Sequence, residues 1–478
     1  MLCFDKEDYI MIEFLLKHAD KKPVSFHMPG HKGSEIYRRL GYDIWLDRFM
    51  DCDITEIPGA DNLFQAEDVL KDIQDRYASL YNCGNSYLLV NGTSGGLIAA
   101  ILASVPAGKS LIMAKNCHKS IFNALTLGNI RPVYLYPEID DEYGISGAIN
   151  PEDVSRLLAE NPDAAAVILP SPNYYGICSD IRAIADIVHD AGKLLIVDQA
   201  HGAHLHFFHK FGYGRNFPES AESSGADIVV CSTHKTLASL TQSAILNLCS
   251  DRVDRYVLED KLQAVQSSSP SYVLMASLDI NAQLLQNHGP HLINEWRENL
   301  DWFYREAAKI KGLGIMKAGM MDDTKINLDM SAYGITGSRL EKLLMQKGIY
   351  TELNTGNILM CMTGIGNIRS DFEKLCSALE EIASEHAMAG ISKHRNKVVI
   401  PKGGRIHPVP LYKEYVNLDE AAGRICAGSV IPYPPGIPFV CPGEEISKET
   451  CEYIRALREA GEKVIGVNDK GQVLVGRE

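Results

Sequence analysis

The chain has 478 residues, with 61 acidic against 47 basic side chains and a formal net charge of −14. At roughly 150 residues per domain that length suggests two to four domains with ample core, and the acidic balance argues against a general nucleic-acid binder, whose surface must be basic. No apolar run approaches the roughly 18 residues of a membrane span, and Asp5, Lys6, Glu7, Asp8 and Glu13 break the N-terminal stretch too often for a secretory leader. A cytoplasmic chain is expected. The 12 cysteines include no C-x-x-C pair, so neither a zinc ribbon nor a disulfide framework is indicated, and reduced thiols are expected.

Residues 1–65 are rich in Pro, Gly and His and read as an N-terminal arm that packs on something else. From there short apolar runs alternate with longer amphipathic segments. Ser86 to Val90 reads as a strand, Asn91 to Gly96 (NGTSGG) as a turn, and Leu97 to Val105 as a helix. A strand over Leu111 to Ala114 leads into Asn116 to Ser120 (NCHKS). Asn150 is placed to cap a helix with Pro151 at its first position, ending near Asn161. Ala164 to Leu169 follows as a buried strand, a helix opens at Ser179 or Asp180 and stops at Gly192, and Leu194 to Val197 and Asp227 to Cys231 are further strands. This rhythm predicts an α/β fold with a mainly parallel sheet and ligands at the carboxyl ends of its strands. The pattern changes after about residue 310, and a basic stretch from Lys393 to Arg405 precedes a Pro-rich Ile431 to Pro438. The expected organisation is an arm (1–65), a large domain (66–310), a small α/β domain (311–390) and a C-terminal domain (391–478).

The chemistry-bearing residues fall at expected strand ends. The glycine-rich turn exposes backbone N–H groups and a helix N-terminus, which suits a phosphate, and Thr93 and Ser94 add hydroxyl donors. A purely structural tight turn is the competing reading. Gly92 to Gly96 also satisfies G-x-S-x-G, the nucleophile elbow of α/β-hydrolases, with Ser94 as nucleophile, Asp198 as acid and a later His as base. A Walker-type loop fits less well, because Ala103 stands where the first glycine belongs before Gly108-Lys109-Ser110. His118 is placed either to stack on a flat ligand or to cap a helix. Asp198, at the end of an apolar strand, needs a positive partner or donor. Lys235 in STHK is a candidate Schiff-base lysine, since partial desolvation lowers an amine's pKa. A phosphate cup, an imidazole, an acid and a lysine together match pyridoxal 5'-phosphate. The hydrolase reading leaves Lys235 and His118 without roles. His201, His204, His206 and His209 invite a metal reading, but their spacing matches no familiar pair and no metal is expected.

PGHKG at 29–33, DITEIPG at 53–59, NGTSGG at 91–96, NCHKS at 116–120, VDQAHGAH at 197–204, STHK at 232–235 and PYPPGIP at 432–438 resemble the pyridoxal-phosphate-dependent ornithine/lysine/arginine decarboxylases, in a short form. The resemblance spans nearly the whole chain. It implies an aspartate-aminotransferase-like (fold type I) architecture, a homodimer or higher homo-oligomer, and Lys235 as the lysine that carries the cofactor. It further implies Asp198 at the pyridine nitrogen, His118 on the ring, Ala200 and His201 beside it, and Thr93, Ser94, Gly95, Ser232 and His234 around the phosphate. Ser267, Ser268 and Ser269 match a family loop near that phosphate, contributed from a partner subunit. Phe64 stands where the family's pattern has His, and Gln199 where Glu is commoner.

The implied reaction is α-decarboxylation of a basic amino acid, with arginine leading over lysine and ornithine, in polyamine metabolism. Asp198 would strengthen the electron sink, and Lys235 or His234 would return a proton to Cα. Glu352, Glu444, Asp53 and Glu56 are candidates for the substrate's distal cation. A serine hydrolase using Ser94 and a non-catalytic cofactor-binding scaffold are the alternatives.

Overall fold

The computed structural model describes residues 10–140, 142–214, 217–388, 404–433, 438–459 and 463–477. Most of the basic stretch, the boundary near residue 390 and Pro434 to Ile437 of the Pro-rich motif lie outside the described residues.

Seven strands form the central sheet: β1 Asn85–Leu89, β2 Ser110–Ala114, β3 Arg131–Leu135, β4 Ala164–Pro170, β5 Leu194–Asp198, β6 Ile228–Cys231 and β7 Ala244–Leu248. Their spatial order is β1-β7-β6-β5-β4-β2-β3. The β3, β2, β4, β5 and β6 strands pair in parallel, and β7 runs antiparallel between β6 and β1. Because β7 reverses twice against its neighbours, β1 points the same way as the parallel strands, and its carboxyl end joins theirs. Strands such as β2 and β6 are buried along their whole length, as expected of a sheet covered by helices on both faces.

The helices begin where local chemistry favours it. Asn150 accepts from the Glu152 N–H ahead of the helix Pro151–Glu160, and Asp180 accepts from Ala183 ahead of Ile181–Asp190. The glycine-rich turn differs from expectation: it is already the first turn of a helix, Gly92–Ser104. Its close seat explains the glycines, since a Cβ on Gly96 would fall 2.5 Å from Leu89 Cδ1 and 2.8 Å from Val230 Cγ1. The 36-residue helix Tyr272–Ala307 packs on Val69–Tyr81, where Tyr77 donates to the Leu278 carbonyl at 2.8 Å.

The arm packs on both halves of the molecule. Val24–Phe26 pairs in parallel with Ile349–Thr351, and Gly30 N–H donates to the His234 carbonyl at 2.7 Å. Beyond the long helix a four-stranded antiparallel sheet includes Lys325–Asp329 and Ile358–Met362. Residues from Val416 to Val475 form a separate apolar cluster. Among the described residues no helix is long and apolar enough to cross a membrane.

Candidate active site

A cavity of about 260 Å³ opens where the carboxyl ends of β1, β2, β4, β5 and β6 converge. Its lining includes Thr93, Ser94, His118, Asp198, Ala200, His201, Ser232, His234 and Lys235. Each follows its strand within a few residues, so the parallel topology alone gathers side chains that are far apart in sequence.

The positive end of the helix Gly92–Ser104 meets the residues after β6 here, with Thr93 Oγ1 3.2 Å from Ser232 Oγ. Gly95 is the exception among the expected anion ligands: it is absent from the lining, and its N–H is spent on the Asn91 carbonyl. His118 takes the capping placement and also faces the cavity. It lines the cavity and caps the helix Lys119–Gly128, with Nδ1 accepting from the Ser120 N–H. Burial, reinforced by Lys235 and Lys119, pushes His118 down to about 4.

Asp198 is buried and accepts from the Ala200 N–H at 3.1 Å. Desolvation raises its pKa, opposed by the Lys235 charge and the Ala200 hydrogen bond. Lys235 Nζ sits 2.9 Å from His201 Nε2. Burial lowers the Lys235 amine below its ordinary range, against the pull of Asp198 and Glu352. His201 is held well below an ordinary imidazole by burial and by Lys235, and His234, whose Nδ1 donates to the Ser243 carbonyl at 2.7 Å, is pushed down by burial to about 4.

Behind the lining lies a buried polar network that sequence reasoning missed. Asp322 accepts from Lys325 Nζ at 2.8 Å and lies 3.1 Å from His204 Nε2, while His204 Nδ1 lies 3.2 Å from Thr236 Oγ1. Lys325 also donates to the His201 carbonyl at 2.8 Å. The residue after Lys235 and the backbone of His201 are thus fixed by one charged cluster. Tyr174 and Asn173 also line the cavity unforeseen; the SPNYYG segment directly after β4 carried the available signal.

The four histidines do not converge. His201 faces Lys235, His204 joins Asp322, His206 sits against Tyr81, and His209 lies 2.9 Å from the Phe217 carbonyl. Among the described residues no cluster of three or more ligating side chains is arranged to hold a metal. The hydrolase arrangement is absent too: His118, His201 and His234 bond Ser120, Lys235 and Ser243, and no described histidine bonds Ser94. Glu444 is not a cation site, because it is fully buried and paired with Lys115. Asp53 and Glu56 are exposed and outside the lining. Glu352 accepts from the N–H of the lining residue Met28 at 2.9 Å, with a side chain only 6 % exposed. Ser267, Ser268 and Ser269 are exposed and off this chain's lining.

The cavity is built for a polar guest. His201 Nδ1 and Asn116 Oδ1 are buried in its wall without a partner among the described residues, and buried polar atoms are rarely left so. An acid, flanking imidazoles, a hydroxyl-lined helix N-terminus and an amine of lowered pKa fit pyridoxal 5'-phosphate.

The family described as Orn/Lys/Arg decarboxylase, major domain, matches residues 11–326, and its C-terminal domain matches residues 386–474. The arginine decarboxylase of Bacillus subtilis (strain 168) is 33% identical over 474 residues, covering 95% of this chain and 94% of that one. The inducible lysine decarboxylase of Escherichia coli (strain K12) is 23% identical, covering 94% and 77%. Among solved structures, the constitutive lysine decarboxylase of E. coli superposes with a TM-score of 0.77 at 19% identity, covering 98% of this chain and 81% of that one. The L-threonine transaldolase of Pseudomonas fluorescens reaches 0.59 at 15% identity, covering 78% and 87%.

Proposed function

The chain belongs to the Orn/Lys/Arg decarboxylase family, and from that premise we propose that it is an arginine decarboxylase, converting arginine to agmatine and CO2. As a member it is a carboxy-lyase that uses pyridoxal 5'-phosphate to decarboxylate a basic amino acid. Arginine is favoured because relatives 30–33% identical over 95% of the chain are arginine decarboxylases, while the lysine decarboxylases stand at 22–23%.

When bound, the cofactor supplies an electron sink for the pair left at Cα as CO2 departs. In our reading Lys235 holds it covalently through Nζ, and Asp198 holds the proton on its ring nitrogen. Thr93, Ser94, Ser232 and His234 hold its phosphate, with His118, Ala200 and His201 around the ring. The observation that carries this assignment is the convergence of Lys235, Asp198 and the helix N-terminus at Gly92 on one cavity. The lowered pKa of Lys235 leaves more of its amine in the neutral, nucleophilic form. Met28, Pro170, Pro172 and Tyr174 give the wall an apolar side, where loss of a carboxylate as neutral CO2 is favoured. Lys235 Nζ then returns a proton to Cα. Glu352 receives the distal guanidinium, since a carboxylate offers it a bidentate partner.

We assign Ser268 and Ser269 to the site of a second copy, in a homodimer or higher homo-oligomer. The apolar Met11, Phe14, Leu15 and Leu16, exposed on the helix Ile10–Asp20, support association. The described cysteines are free thiols, which supports a reducing, cytoplasmic setting. Measuring CO2 release from arginine, lysine and ornithine side by side tests the reading. Turnover of arginine above the other two is expected, and preference for lysine or ornithine overturns the substrate assignment.

A further inference from the structure

Directly behind the cavity the molecule buries a complete ion pair to which the reaction assigns no part. Lys325 Nζ donates to Asp322 Oδ2 at 2.8 Å, and both side chains are 0 % exposed. Such a pair adds little to stability, because desolvating two charges offsets their attraction and apolar side chains of similar size hold a core as well. What distinguishes this one is the set of groups that its two charges hold in place.

Both ends of the pair reach Lys235, by separate routes. Lys325 Nζ donates to the His201 carbonyl at 2.8 Å, and His201 Nε2 lies 2.9 Å from Lys235 Nζ, so the first route ends on the amine. The second ends on the backbone. Asp322 Oδ1 lies 3.1 Å from His204 Nε2, and His204 Nδ1 lies 3.2 Å from the hydroxyl of Thr236, the residue after Lys235. Burial holds His204 below an ordinary imidazole, so the neutral ring donates from Nε2 to the carboxylate and accepts at Nδ1 from Thr236. Thr324 fixes the carboxylate in turn, donating to Asp322 Oδ1 from its N–H at 3.0 Å and its hydroxyl at 2.7 Å.

A third wall segment rests on the same pair. The Asp322 N–H donates to the Gly176 carbonyl at 2.8 Å, and a Cβ on Gly176 would fall 2.9 Å from the Asp322 carbonyl oxygen and 3.1 Å from Lys325 Cγ. The turn that carries Tyr174 into the cavity therefore sits in contact with the ion pair, and Lys325 opens the strand Lys325–Asp329 that anchors it in the four-stranded sheet.

We propose that Asp322 and Lys325 are positioning residues for the decarboxylation, fixing Lys235 at its amine through His201 and at its backbone through His204 and Thr236. The inference rests on the reading that Lys235 carries the cofactor. Neither residue lines the cavity, so their loss leaves the substrate's contacts in place and disturbs only the direction of Nζ. A reacting group displaced in this way slows the chemical step while substrate binds as before.

The test compares the wild-type holoenzyme with Asp322→Asn combined with Lys325→Met, which removes both charges together and keeps an acceptor for Thr324 and His204. With the best substrate among arginine, lysine and ornithine, kcat should fall about tenfold or more and KM should stay within about twofold. The visible circular dichroism of the bound cofactor should change, and the melting temperature should hold. Thr236→Val, which loses only a hydroxyl, should move kcat and the dichroism the same way by less, and it decides the matter if the double variant does not fold. Unchanged kcat and dichroism in either folded variant, or a loss confined to KM or melting temperature, would overturn the proposal. Borohydride reduction of the wild type keeps the two readings apart: cofactor fixed on another residue refutes the role of Lys235, whereas a Lys235 adduct with unaltered variants refutes the positioning role alone.

Discussion

Lys235 Nζ and His201 Nε2 lie 2.9 Å apart, two bases in contact, and the Lys235 charge adds to burial in holding His201 well below an ordinary imidazole. A neutral His201 offers Nε2 as acceptor to a Lys235 N–H, which fixes the direction of the amine and leaves Nδ1 facing a buried surface without a partner. Replacing the imidazole frees Nζ to rotate. His201→Leu is expected to lower kcat by roughly a hundredfold, the scale of a misplaced reacting group, while borohydride still fixes the cofactor on Lys235. Steady-state kinetics and mass analysis of the reduced adduct check both halves; unchanged kcat would exclude a positioning role.

Glu352 supplies the Met28 N–H with an acceptor and places a nearly buried negative charge beside the cavity. Glu352→Gln keeps a carbonyl oxygen for Met28 and removes only the charge. Loss of a charge-assisted bond of roughly 1.5–3 kcal/mol lowers kcat/KM for arginine by about tenfold to a hundredfold. CO2 release measured against arginine concentration decides it, and an undiminished kcat/KM would assign Glu352 a structural role alone.

Much of this site was legible because parallel strands end in the same place. Once NGTSGG, NCHKS, VDQAH and STHK each follow an apolar run, their convergence follows from the topology, and the observed cavity contains residues from all four. The buried cluster behind it was not legible. Lys325 and Asp322 sit in MMDDTKINLD, where charges look like a solvated turn; only the pairing of Lys325–Asp329 with Ile358–Met362 and the contact with His204 bury them. Glu444 was misjudged for the same reason. A carboxylate in PGEE carries no sign of a lysine more than three hundred residues earlier, and Lys115 itself looks like the exposed end of a strand.

The arm leaves no room beside the residues after Lys235. A Cβ on Gly30 would lie 2.4 Å from the Leu237 carbonyl oxygen and 2.5 Å from Thr236 C, both backbone atoms with no rotamer to yield. Gly30→Ala must displace either the arm or the segment that positions Lys235. The expected result is a destabilisation of roughly 1–3 kcal/mol together with lower kcat, read by urea denaturation and CO2 release. Wild-type stability and turnover would show that the arm shifts freely.

His234 is buried and pushed down from 6.5 to about 4. Between those values the unfolded chain binds a proton that the folded one does not, so this histidine's contribution to stability is intact above pH 6.5 and falls as pH drops toward 4. The loss amounts to roughly 3 kcal/mol at about 1.4 kcal/mol per pH unit. Asp322, held well below the usual carboxylate range despite burial by His204 and Lys325, loses its contribution only at lower pH. Melting wild type and His234→Asn from pH 7 to 4.5 isolates the effect: wild type should lose Tm faster, and parallel curves would refute the assignment.

Lys115 and Glu444 join the carboxyl end of β2 to the C-terminal cluster through a bidentate contact of 2.5 and 2.6 Å, with side chains 1 % and 0 % exposed. Burial alone would lower the Lys115 amine, but Cys441 and Glu444 hold it above its ordinary value, and its Nζ lies 3.8 Å from the centre of the Tyr134 ring. Removing one charge strands the other in a dry interface, at a cost of about 3–5 kcal/mol, whereas removing both exchanges the pair for apolar packing at little cost. Glu444→Leu should therefore release the C-terminal segment to protease and lower the urea midpoint. Lys115→Met combined with Glu444→Leu should recover most of the loss, because the desolvated ammonium is gone. A double variant as unstable as the single one would mean that the pair's own attraction, beyond relief of a stranded charge, holds the two units together.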